Sequence, residues 1–406
     1  ILDPCCGTGG MLTIAQSRIE AINPNARVES SGQEVNPKTY AVTKSDMLMI
    51  SPDGKDADRI RQGSTLEKDE FAGQNFHYLI ANPPYGKDWN ADKKDVEEEY
   101  ALGSAGRFAP GLPRKSDGQM LFMLHMLAKM KPVSEGGSRV AVVMNGSPLF
   151  TGDANSGESE IRRHVMESDL LEAIVAMPEQ IFYNTGIATY IWILSNRKPS
   201  HRKGKVQLIN ASGEDFWKPM RKSLGDKRRE MDEGHIAKVL EIYNSFEEDT
   251  DVSKIYPTTF FGYRKMTVDR PLKINIQTSG ERMARLDEQK AFEKLDDNEK
   301  TNLRAMLNAL PKHLYMDRAD FIVDLKAEVK ARGMKIRAPL QKAIIAALSE
   351  RDKDAAVCLN TKGIQEHDRD LRDTERIPLG DNIDAYMEKE VWPHVPDAWV
   401  NESATD

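Results

Sequence analysis

The feature that most constrains the fold is an alternation of short apolar, strand-like runs with helix-like stretches, from residue 1 to about residue 212. Asn36 followed by Pro37 is typical of a helix start, because asparagine caps the first turn and proline fits inside it. Strands that alternate with helices form a mainly parallel sheet covered by helices. We therefore predict an α/β domain with a Rossmann-like sheet. The strand-like runs lie at residues 77–81, 139–144, 171–177, 188–194 and 206–209.

The composition changes after residue 212. Residues 213–280 contain charge-rich segments, and we interpret them as a connecting region. Residues 281–406 contain long helical patterns, and they predict a mostly helical C-terminal region. Within the first domain, residues 89–112 lack apolar periodicity and are interpreted as a long irregular insertion, of the kind that is often functional or mobile.

The charge of the chain limits how it could hold a polyanion. The formal net charge is −7, from 57 lysines and arginines against 64 aspartates and glutamates. This balance argues against a stand-alone nucleic-acid binder held by an overall positive field, but it leaves local basic patches or a DNA-gripping partner open. Two basic clusters, at residues 197–205 and 221–229, could contact phosphates. For the first we favour a solvated turn between two strands, and acidic neighbours weaken the second.

Cysteine content and hydropathy indicate the compartment. The three cysteines are Cys5, Cys6 and Cys358, of which two are adjacent. They make a poor disulfide framework and have no zinc-binding spacing, so we expect a reducing compartment and no metal site. We see no apolar run of membrane-spanning length and no signal peptide. We therefore expect a cytoplasmic protein without a membrane segment.

The first motif that carries chemistry is a glycine-rich turn, Asp3-Pro4-Cys5-Cys6-Gly7-Thr8-Gly9-Gly10. It follows the end of a strand-like segment and precedes a helical pattern. Such a turn lets a ligand approach the backbone closely at the carboxyl edge of the sheet. A tight glycine turn without a ligand is the other interpretation, and the turn alone does not decide between the two.

Glu34 stands one strand–helix unit later, at the end of the next strand-like stretch. An acidic residue at this position can accept hydrogen bonds from both hydroxyls of a ribose. A solvated surface glutamate is the alternative. The position after the glycine turn favours the ligand-binding interpretation.

The most specific motif is Asn82-Pro83-Pro84-Tyr85, after the apolar segment 78–81. Two prolines remove two backbone donors and cannot continue a central strand, so the chain should turn rigidly at the sheet edge. The carbonyl of Asn82 and a proline carbonyl could then accept both hydrogens of an amino group, while Tyr85 offers a face for stacking of a base. A proline-rich turn without a ligand is the weaker interpretation.

Together these residues resemble the amino-methylating DNA methyltransferases, in the gamma order of the two motifs. More closely, the chain resembles the modification subunit of type I restriction-modification systems over nearly its whole length. Segments near the C-terminus are typical of the tail of that subunit. The resembling stretches are Asp3–Leu12, Asn82–Gly86, Gly118–Lys131, Gly136–Phe150, Glu160–Arg163, Leu171–Asn184, Asp368–Glu375 and Tyr386–Trp399.

The resemblance implies S-adenosyl-L-methionine as the cofactor and the amino group of adenine in DNA as the methyl acceptor. It implies that Asn82, Pro83, Pro84 and Tyr85 hold the target base, with Asp3 facing the ammonium of the cofactor. It also implies a specificity subunit that reads the DNA sequence, a restriction subunit, and two methylase subunits in each complex, with the helical C-terminal region binding partners. The expected cofactor-binding residues are Asp3, Gly7, Thr8, Gly9, Gly10, Glu34 and Ser64.

The sequence departs from this family in three places. The family usually has a helical domain and a Gln-Tyr-Phe-Thr-Pro-Arg-like segment before the glycine turn, so we expect the chain to be an N-terminally truncated fragment. Ser64 stands where an aspartate usually contacts the cofactor adenine; it can accept a hydrogen bond without charge. His77 replaces an acidic residue, which we interpret as structural drift.

Two other functions remain as alternatives. An Asn-Pro-Pro-Tyr site can also hold a side-chain amide, as in a protein glutamine methyltransferase. A non-catalytic assembly subunit that has lost cofactor binding is the alternative from another class. Ser64 and the expected N-terminal truncation keep it open, whereas Asp3, Glu34 and Asn82–Tyr85 argue against it.

Overall fold

The computed structural model describes residues 1–50, 54–183, 185–249 and 251–405. The chain forms two compact units, Ile1–Gly262 and Tyr263–Asp406. Each unit has its own hydrophobic core. In the part of the chain that the structure describes, no helix is long and apolar enough to cross a membrane.

The first unit is built on a nine-stranded sheet, with a separate two-stranded hairpin formed by Lys218–Leu224 and Lys227–Glu230. The strands are β1 Leu2–Asp3, β2 Ser31–Glu34, β3 Ile60–Gln62, β4 Tyr78–Ala81, β5 Arg139–Asn145, β6 Leu171–Ala176, β7 Thr189–Ser195, β8 Lys205–Asn210, β9 Lys218–Leu224, β10 Lys227–Glu230 and β11 Ser253–Pro257. The helices are α1 Gly10–Ile22, α2 Pro37–Ile50, α3 Lys55–Asp58, α4 Lys93–Tyr100, α5 Gln119–Ala128, α6 Ser147–Phe150, α7 Gly157–Glu167 and α8 Glu233–Ser245.

The strand order in the sheet is β11-β8-β6-β7-β5-β4-β1-β2-β3. The pairs from β5 to β3 are all parallel, and β6 is parallel to β8. Only β7 and β11 run antiparallel to their neighbours. The predicted α/β domain with a mainly parallel sheet is confirmed.

The direction of chain progression reverses between β1 and β4. From β1 the chain adds β2 and β3 on one side, and it then returns to place β4 on the other side. In open parallel sheets, ligands bind at this switch point, outside the carboxyl ends of the strands. The glycine-rich turn follows β1 and the Asn82–Tyr85 segment follows β4, so the fold brings both motifs to the switch point.

The local sequence explains how these elements are fixed. The side chain of Asn36 accepts hydrogen bonds from the backbone N–H groups of Lys38 and Thr39, at 2.9 and 3.3 Å. This satisfies two otherwise unpaired donors at the start of α2, as the sequence predicts. Strand β5 is central, with Val140, Val142 and Met144 fully buried. The sheet therefore provides a rigid base for the loops at its carboxyl edge.

The insertion at residues 89–112 is not irregular throughout, and the sequence interpretation was wrong in this respect. It contains α4 and a short 3-10 helix at Gly103–Ala105. Trp89, Val96 and Phe108 are 2, 0 and 0% exposed and belong to the main core. These three residues lie too far apart for a periodic pattern, yet they reach the same core.

The boundary between the two units differs from the boundaries that composition suggests, after residues 212 and 280. Strand β11 pairs antiparallel with β8 over five residue pairs, so the chain up to Gly262 belongs to the first unit. Helix α8 packs onto the same end of the sheet, where Val239, Ile242 and Tyr243 contact its core. The high charge of residues 213–251 belongs to exposed faces of this extension, and not to a separate connecting region.

The second unit is mostly helical from Gly280 to Leu348, as predicted. Its largest core includes Phe292, Phe321 and Ile344, all fully buried. Small sheets flank these helices. The elements are the strands β12 Tyr263–Asp269, β13 Ile274–Ile276, β14 Ser349–Arg351, β15 Asp373–Pro378 and β16 Trp399–Val400, and the helices α9 Gly280–Ala284, α10 Lys290–Glu293, α11 Asp297–Ala309, α12 Arg318–Ala331, α13 Ala338–Leu348 and α14 Ile383–Tyr386.

Candidate functional site

The glycine-rich turn joins β1 to α1 in a tight loop. The N–H of Gly9 donates to the carbonyl of Cys6 at 2.8 Å, and Gly7 and Gly9 have φ values of +56° and +81°. A Cβ on Gly9 would lie 2.9 Å from Cγ2 of Thr43, whereas a Cβ on Gly7 or Gly10 would meet nothing within 4 Å. Gly9 thus serves the packing of the turn against α2. The open side of the turn lies at Gly7, Thr8 and Gly10.

Asp3 is a buried carboxyl group at the end of β1, with only 2% of its surface exposed. Its Oδ1 accepts a hydrogen bond from the N–H of Cys5 at 3.0 Å. Burial raises the pKa of Asp3 to about 7, and the nearby carboxylate of Glu34 adds to the rise. Among the described residues, no lysine, arginine or histidine forms an ion pair with Asp3. A cationic group bound in the turn would supply the missing charge, which fits the ammonium of S-adenosylmethionine.

Glu34, at the end of β2, joins two loops of the sheet edge. Its Oε2 accepts a hydrogen bond from the N–H of Gly7 at 2.9 Å, and its Oε1 accepts one from the N–H of Asn36 at 2.7 Å. An ionised carboxylate has about four acceptor positions, so each oxygen keeps one for a ligand. The two oxygens therefore remain suited to the two hydroxyls of a ribose, and Glu34 also fixes the shape of the glycine turn.

The Asn82–Tyr85 segment leaves the sheet directly after β4. Pro83 is buried, whereas Asn82 and Pro84 are exposed at the edge. The hydroxyl of Tyr85 donates a hydrogen bond to Oδ1 of Asn82, and burial raises the pKa of Tyr85 above its ordinary value. Sequence reasoning missed this bond. It orients the Asn82 carbonyl and leaves that oxygen a second acceptor position for an amino group.

Ser64 follows β3, at the same edge of the sheet. The N–H of Gly63 donates to the carbonyl of Glu34 at 3.0 Å, which places the segment beside Glu34. The next residue, Thr65, is buried, and its hydroxyl donates to the carbonyl of Pro4 at 2.5 Å. Thr65 therefore ties the Ser64 segment to the glycine turn. In the sequence, only the position of Thr65 beside Ser64 could have pointed to this role.

Arg107, from the insertion, braces the same segment. Its Nη1 donates to the carbonyl of Thr65 at 2.6 Å, and its guanidinium makes a two-pronged ion pair with Glu99. Its Nη1 also lies 2.9 Å from Nδ1 of His125. Arginine can only donate, so Nδ1 of His125 accepts. Burial, and then the charge of Arg107, lower the pKa of His125 to about 3, which keeps the imidazole neutral.

Two ring side chains in contact with Arg107, those of His125 and Phe108, are buried. His125 is 1% exposed and lies on the buried face of α5, where its Nδ1 accepts from Arg107. Among the described residues, no group of three or more histidine, cysteine, aspartate or glutamate side chains could hold a metal ion. Phe108 packs in the main core, and the guanidinium carbon of Arg107 lies 4.8 Å from the centre of its ring. Neither is placed to touch a ligand at the sheet edge.

Comparison with known proteins identifies the family. Residues 1–258 match the N-6 DNA Methylase family, which is more than half of the chain. The chain belongs to the N-6 DNA methylase family. This match covers all the strands of the large sheet and every candidate site residue.

The relatives of this N-6 DNA methylase include subunits of type I restriction enzymes. It is 30% identical over 259 residues to the Type I restriction enzyme MjaIX methylase subunit of Methanocaldococcus jannaschii, covering 63% of this chain and 43% of the relative. It is 31% identical over 216 residues to the HindI methylase subunit of Haemophilus influenzae, covering 52% of this chain and 44% of the relative. The matched region is thus less than half the length of these curated relatives.

A solved structure shares the fold of this N-6 DNA methylase. The type I restriction-modification system methyltransferase subunit from Streptococcus thermophilus has 25% sequence identity and a TM-score of 0.52, over 63% of this chain and 50% of that chain. The match supports the Rossmann-like methyltransferase sheet that the sequence predicts.

The structure brings the sequence-predicted residues of the N-6 DNA methylase together at one sheet edge. The ends of β1, β2, β3 and β4 carry, in order, the glycine turn, Glu34, Ser64 and Asn82. Adjacent parallel strands lie about 4.8 Å apart, so four neighbouring strands keep these groups within about 15 Å. The stretch Leu171–Asn184 contains β6 and the loop after it. Its last residue, Asn184, lies outside the described residues.

Proposed function

We propose that this N-6 DNA methylase chain transfers a methyl group from S-adenosylmethionine to the amino nitrogen of adenine in DNA, as the methylase subunit of a type I restriction-modification complex. The observation that carries the proposal is the placement of Asn82–Tyr85 at the switch point, next to a buried Asp3 that pairs with no cation in the described part of the chain. One site therefore combines an acceptor for an amino group with an acceptor for an ammonium.

The contacts at the sheet edge support the proposed cofactor-binding residues. Bound S-adenosylmethionine supplies an electrophilic methyl group. Asp3 would bind its ammonium, and the two free acceptor positions of Glu34 would bind its ribose. Gly7, Thr8 and Gly10 line the open side of the turn, while Gly9 packs against Thr43 of α2. Ser64 would accept a hydrogen bond from the adenine of the cofactor.

Asn82–Tyr85 would hold the target base after it leaves the duplex stack. The Asn82 carbonyl, already oriented by Tyr85, accepts one hydrogen of the adenine amino group and turns the nitrogen lone pair toward the methyl donor. A backbone carbonyl of the two prolines would accept the other hydrogen, and Tyr85 would stack on the base. Holding both reactants in this way removes much of the orientational cost of transfer.

The partners are those that type I complexes contain. We propose that a specificity subunit reads the DNA sequence, that a restriction subunit cuts, and that two methylase subunits work in each complex. The chain has a net charge of −7, so such partners would supply much of the grip on DNA. We assign partner binding to the helical region from residue 281 onward, and we place the protein in the cytoplasm with its DNA substrate.

The test uses the protein purified with its specificity subunit and follows the transfer of a labelled methyl group from S-adenosylmethionine to DNA. The DNA is then digested to nucleosides, and the label in each nucleoside is measured. Asn82→Ala should abolish the label in N6-methyladenine while cofactor binding stays. Asn90→Ala is the matched control, because Asn90 is an exposed asparagine eight residues away. Label in protein instead of DNA would favour a glutamine methyltransferase, and no cofactor binding at all would favour a non-catalytic subunit.

A further inference from the structure

The hairpin formed by β9 and β10, residues 218–230, is a local basic patch in an acidic chain. We call it the basic hairpin. Its two acidic residues, Asp226 and Glu230, leave it a net charge of +4 against −7 for the whole chain. The six basic residues are Lys218, Arg221, Lys222, Lys227, Arg228 and Arg229.

The basic hairpin lies at the same sheet edge as Asn82. Strand β6 is antiparallel to β7, which is antiparallel to β5, so β6 and β8 run in the same direction as β4. The hairpin follows the carboxyl end of β8, and it is bound to the loop after β6. The N–H of Asp226 donates to the carbonyl of Tyr183 at 3.0 Å, and the N–H of Arg228 donates to the carbonyl of Gln180 at 2.9 Å.

The distance between the two features suits a DNA duplex. Three strand spacings separate β6 from β4, which corresponds to about 14 Å along the edge. Since DNA rises about 3.4 Å per base pair, this is about four base pairs. A duplex with one adenine extruded at Asn82 would carry phosphates over the hairpin.

Three of the six cations are available to a ligand. Lys218 is paired with Glu230 and Asp232, at 3.5 and 3.2 Å. Lys227 lies 4.8 Å above the ring of Tyr183, and Arg229 lies 3.8 Å above that of Trp217. These three hold the hairpin to its surroundings. Among the described residues, no carboxylate pairs with the exposed side chains of Arg221, Lys222 and Arg228.

The other basic cluster, residues 197–205, shows the opposite arrangement. It connects the end of the antiparallel strand β7 to the start of β8, and therefore lies at the edge away from Asn82. Lys198 is 6% exposed and donates to Asp169 at 2.5 Å. Arg202 is 3% exposed, between the rings of Tyr243 and Phe246 at 4.2 and 4.3 Å. Lys198 and Arg202 therefore stabilise the fold and are not available to a ligand.

We propose that the basic hairpin binds backbone phosphates of the DNA duplex, about four base pairs from the adenine held at Asn82. The inference rests on the proposed function, because it needs DNA as the substrate. Arg221, Lys222 and Arg228 make the contacts. Phosphate contacts fix the position of the duplex and carry no sequence information, so the hairpin acts on every sequence that the complex binds.

The test measures binding of a fluorescein-labelled DNA duplex by the protein in its native complex, from about 50 to about 200 mM salt. Each phosphate contact contributes about −0.9 to the slope of log Kobs against log salt concentration. The triple variant Arg221→Gln, Lys222→Gln, Arg228→Gln should therefore lower the steepness of that slope by about 3 and weaken binding equally for all sequences. Its affinity for S-adenosylmethionine should not change.

The matched control is the triple variant Arg197→Gln, Lys203→Gln, Lys205→Gln, which removes the same charge at the opposite edge. Equal slopes for the hairpin variant and the wild type would overturn the inference, as would equal losses in both triple variants. Unchanged DNA binding with loss of a copurifying subunit would mean that the hairpin binds protein. If the wild-type complex methylates DNA and the hairpin variant binds it normally, only this inference fails; if no methyl reaches DNA, the proposed function fails.

Discussion

Two carboxylates of the first unit, Asp3 and Glu99, differ in their electrostatic partners. Burial raises the pKa of Asp3 to about 7, and no lysine, arginine or histidine of the residues that the structure describes opposes the rise. Burial also acts to raise the pKa of Glu99, but hydrogen bonds from Arg107 outweigh it and lower the pKa below its ordinary value. Glu99 is satisfied inside the protein, so its pair with Arg107 serves structure. Asp3 accepts a hydrogen bond from Cys5 but has no such ion-pair partner among the described residues. A buried carboxyl with a raised pKa marks a place where a ligand is expected.

The largest expected effect comes from Asp3→Asn. Because the folded pKa of Asp3 is raised from 3.8 to about 7, its contribution to stability is present below about pH 4 and is lost as the pH rises through 7. Relative to Asp3→Asn, the free energy of unfolding of the cofactor-free wild type should fall over this window, by up to about 4 kcal/mol. Urea titrations at a series of pH values measure the difference.

The exposed Asp58 provides the control for this experiment, because its side chain is 83% exposed. Asp58→Asn should show the same pH dependence as the wild type. S-adenosylmethionine should bind the wild type with release of a proton below pH 7, as measured by calorimetry in buffers of different ionisation enthalpy. A wild type whose stability follows that of Asp3→Asn at every pH would mean that Asp3 needs no cationic ligand.

The second effect tests the other carboxylate. Arg107→Met leaves Glu99 without its partner, and loss of one member of a buried pair costs about 3 kcal/mol of stability. The double variant Arg107→Met, Glu99→Gln should recover part of that loss, because no unpaired charge remains. Denaturant unfolding of the two single variants and the double variant gives the coupling energy. Strictly additive losses would contradict the assignment of Glu99 and Arg107 as a structural pair.

The smallest effect concerns Thr65, which connects the segment braced by Arg107 to the glycine turn after Asp3. Thr65→Val removes the hydroxyl that donates to the carbonyl of Pro4, and should cost about 1 kcal/mol of stability. Because Pro4 belongs to the glycine turn, the affinity for S-adenosylmethionine should fall as well. Thr65→Ser keeps the hydroxyl and should keep the affinity. Equal affinities of the wild type, Thr65→Val and Thr65→Ser for S-adenosylmethionine would mean that this link does not affect the cofactor site.

Sequence reasoning predicted which strand ends carry the candidate residues, because the signals for these residues are local. Asp3, Glu34 and Asn82 each follow a strand in a recognisable motif, and the fold brings the ends of parallel strands to one edge. It missed Thr65 and Arg107, whose hydrogen bond joins residues 42 positions apart. No spacing rule connects such residues, because the contact depends on how the insertion packs. The same reason explains why the core positions of Trp89 and Phe108 went unrecognised.

The basic clusters illustrate the same limit at the surface. In the sequence, residues 197–205 and 221–229 are both short runs of lysine and arginine. The structure separates them, since β7 runs antiparallel and sends the first cluster to the edge away from Asn82. Charge composition says nothing about strand direction, and strand direction decides which edge a loop occupies.

The sequence by itself determined the fold class, the glycine turn, Glu34 and the Asn82–Tyr85 segment, because these depend on residue type and short-range spacing. Only the tertiary structure decided the unit boundary at Gly262, the bracing of Thr65 by Arg107, and which carboxylates have a partner. The physical reason is that burial and charge pairing depend on which distant segments meet. The free energy of a buried charge therefore follows from the packed chain, whereas a motif can be recognised before the chain folds.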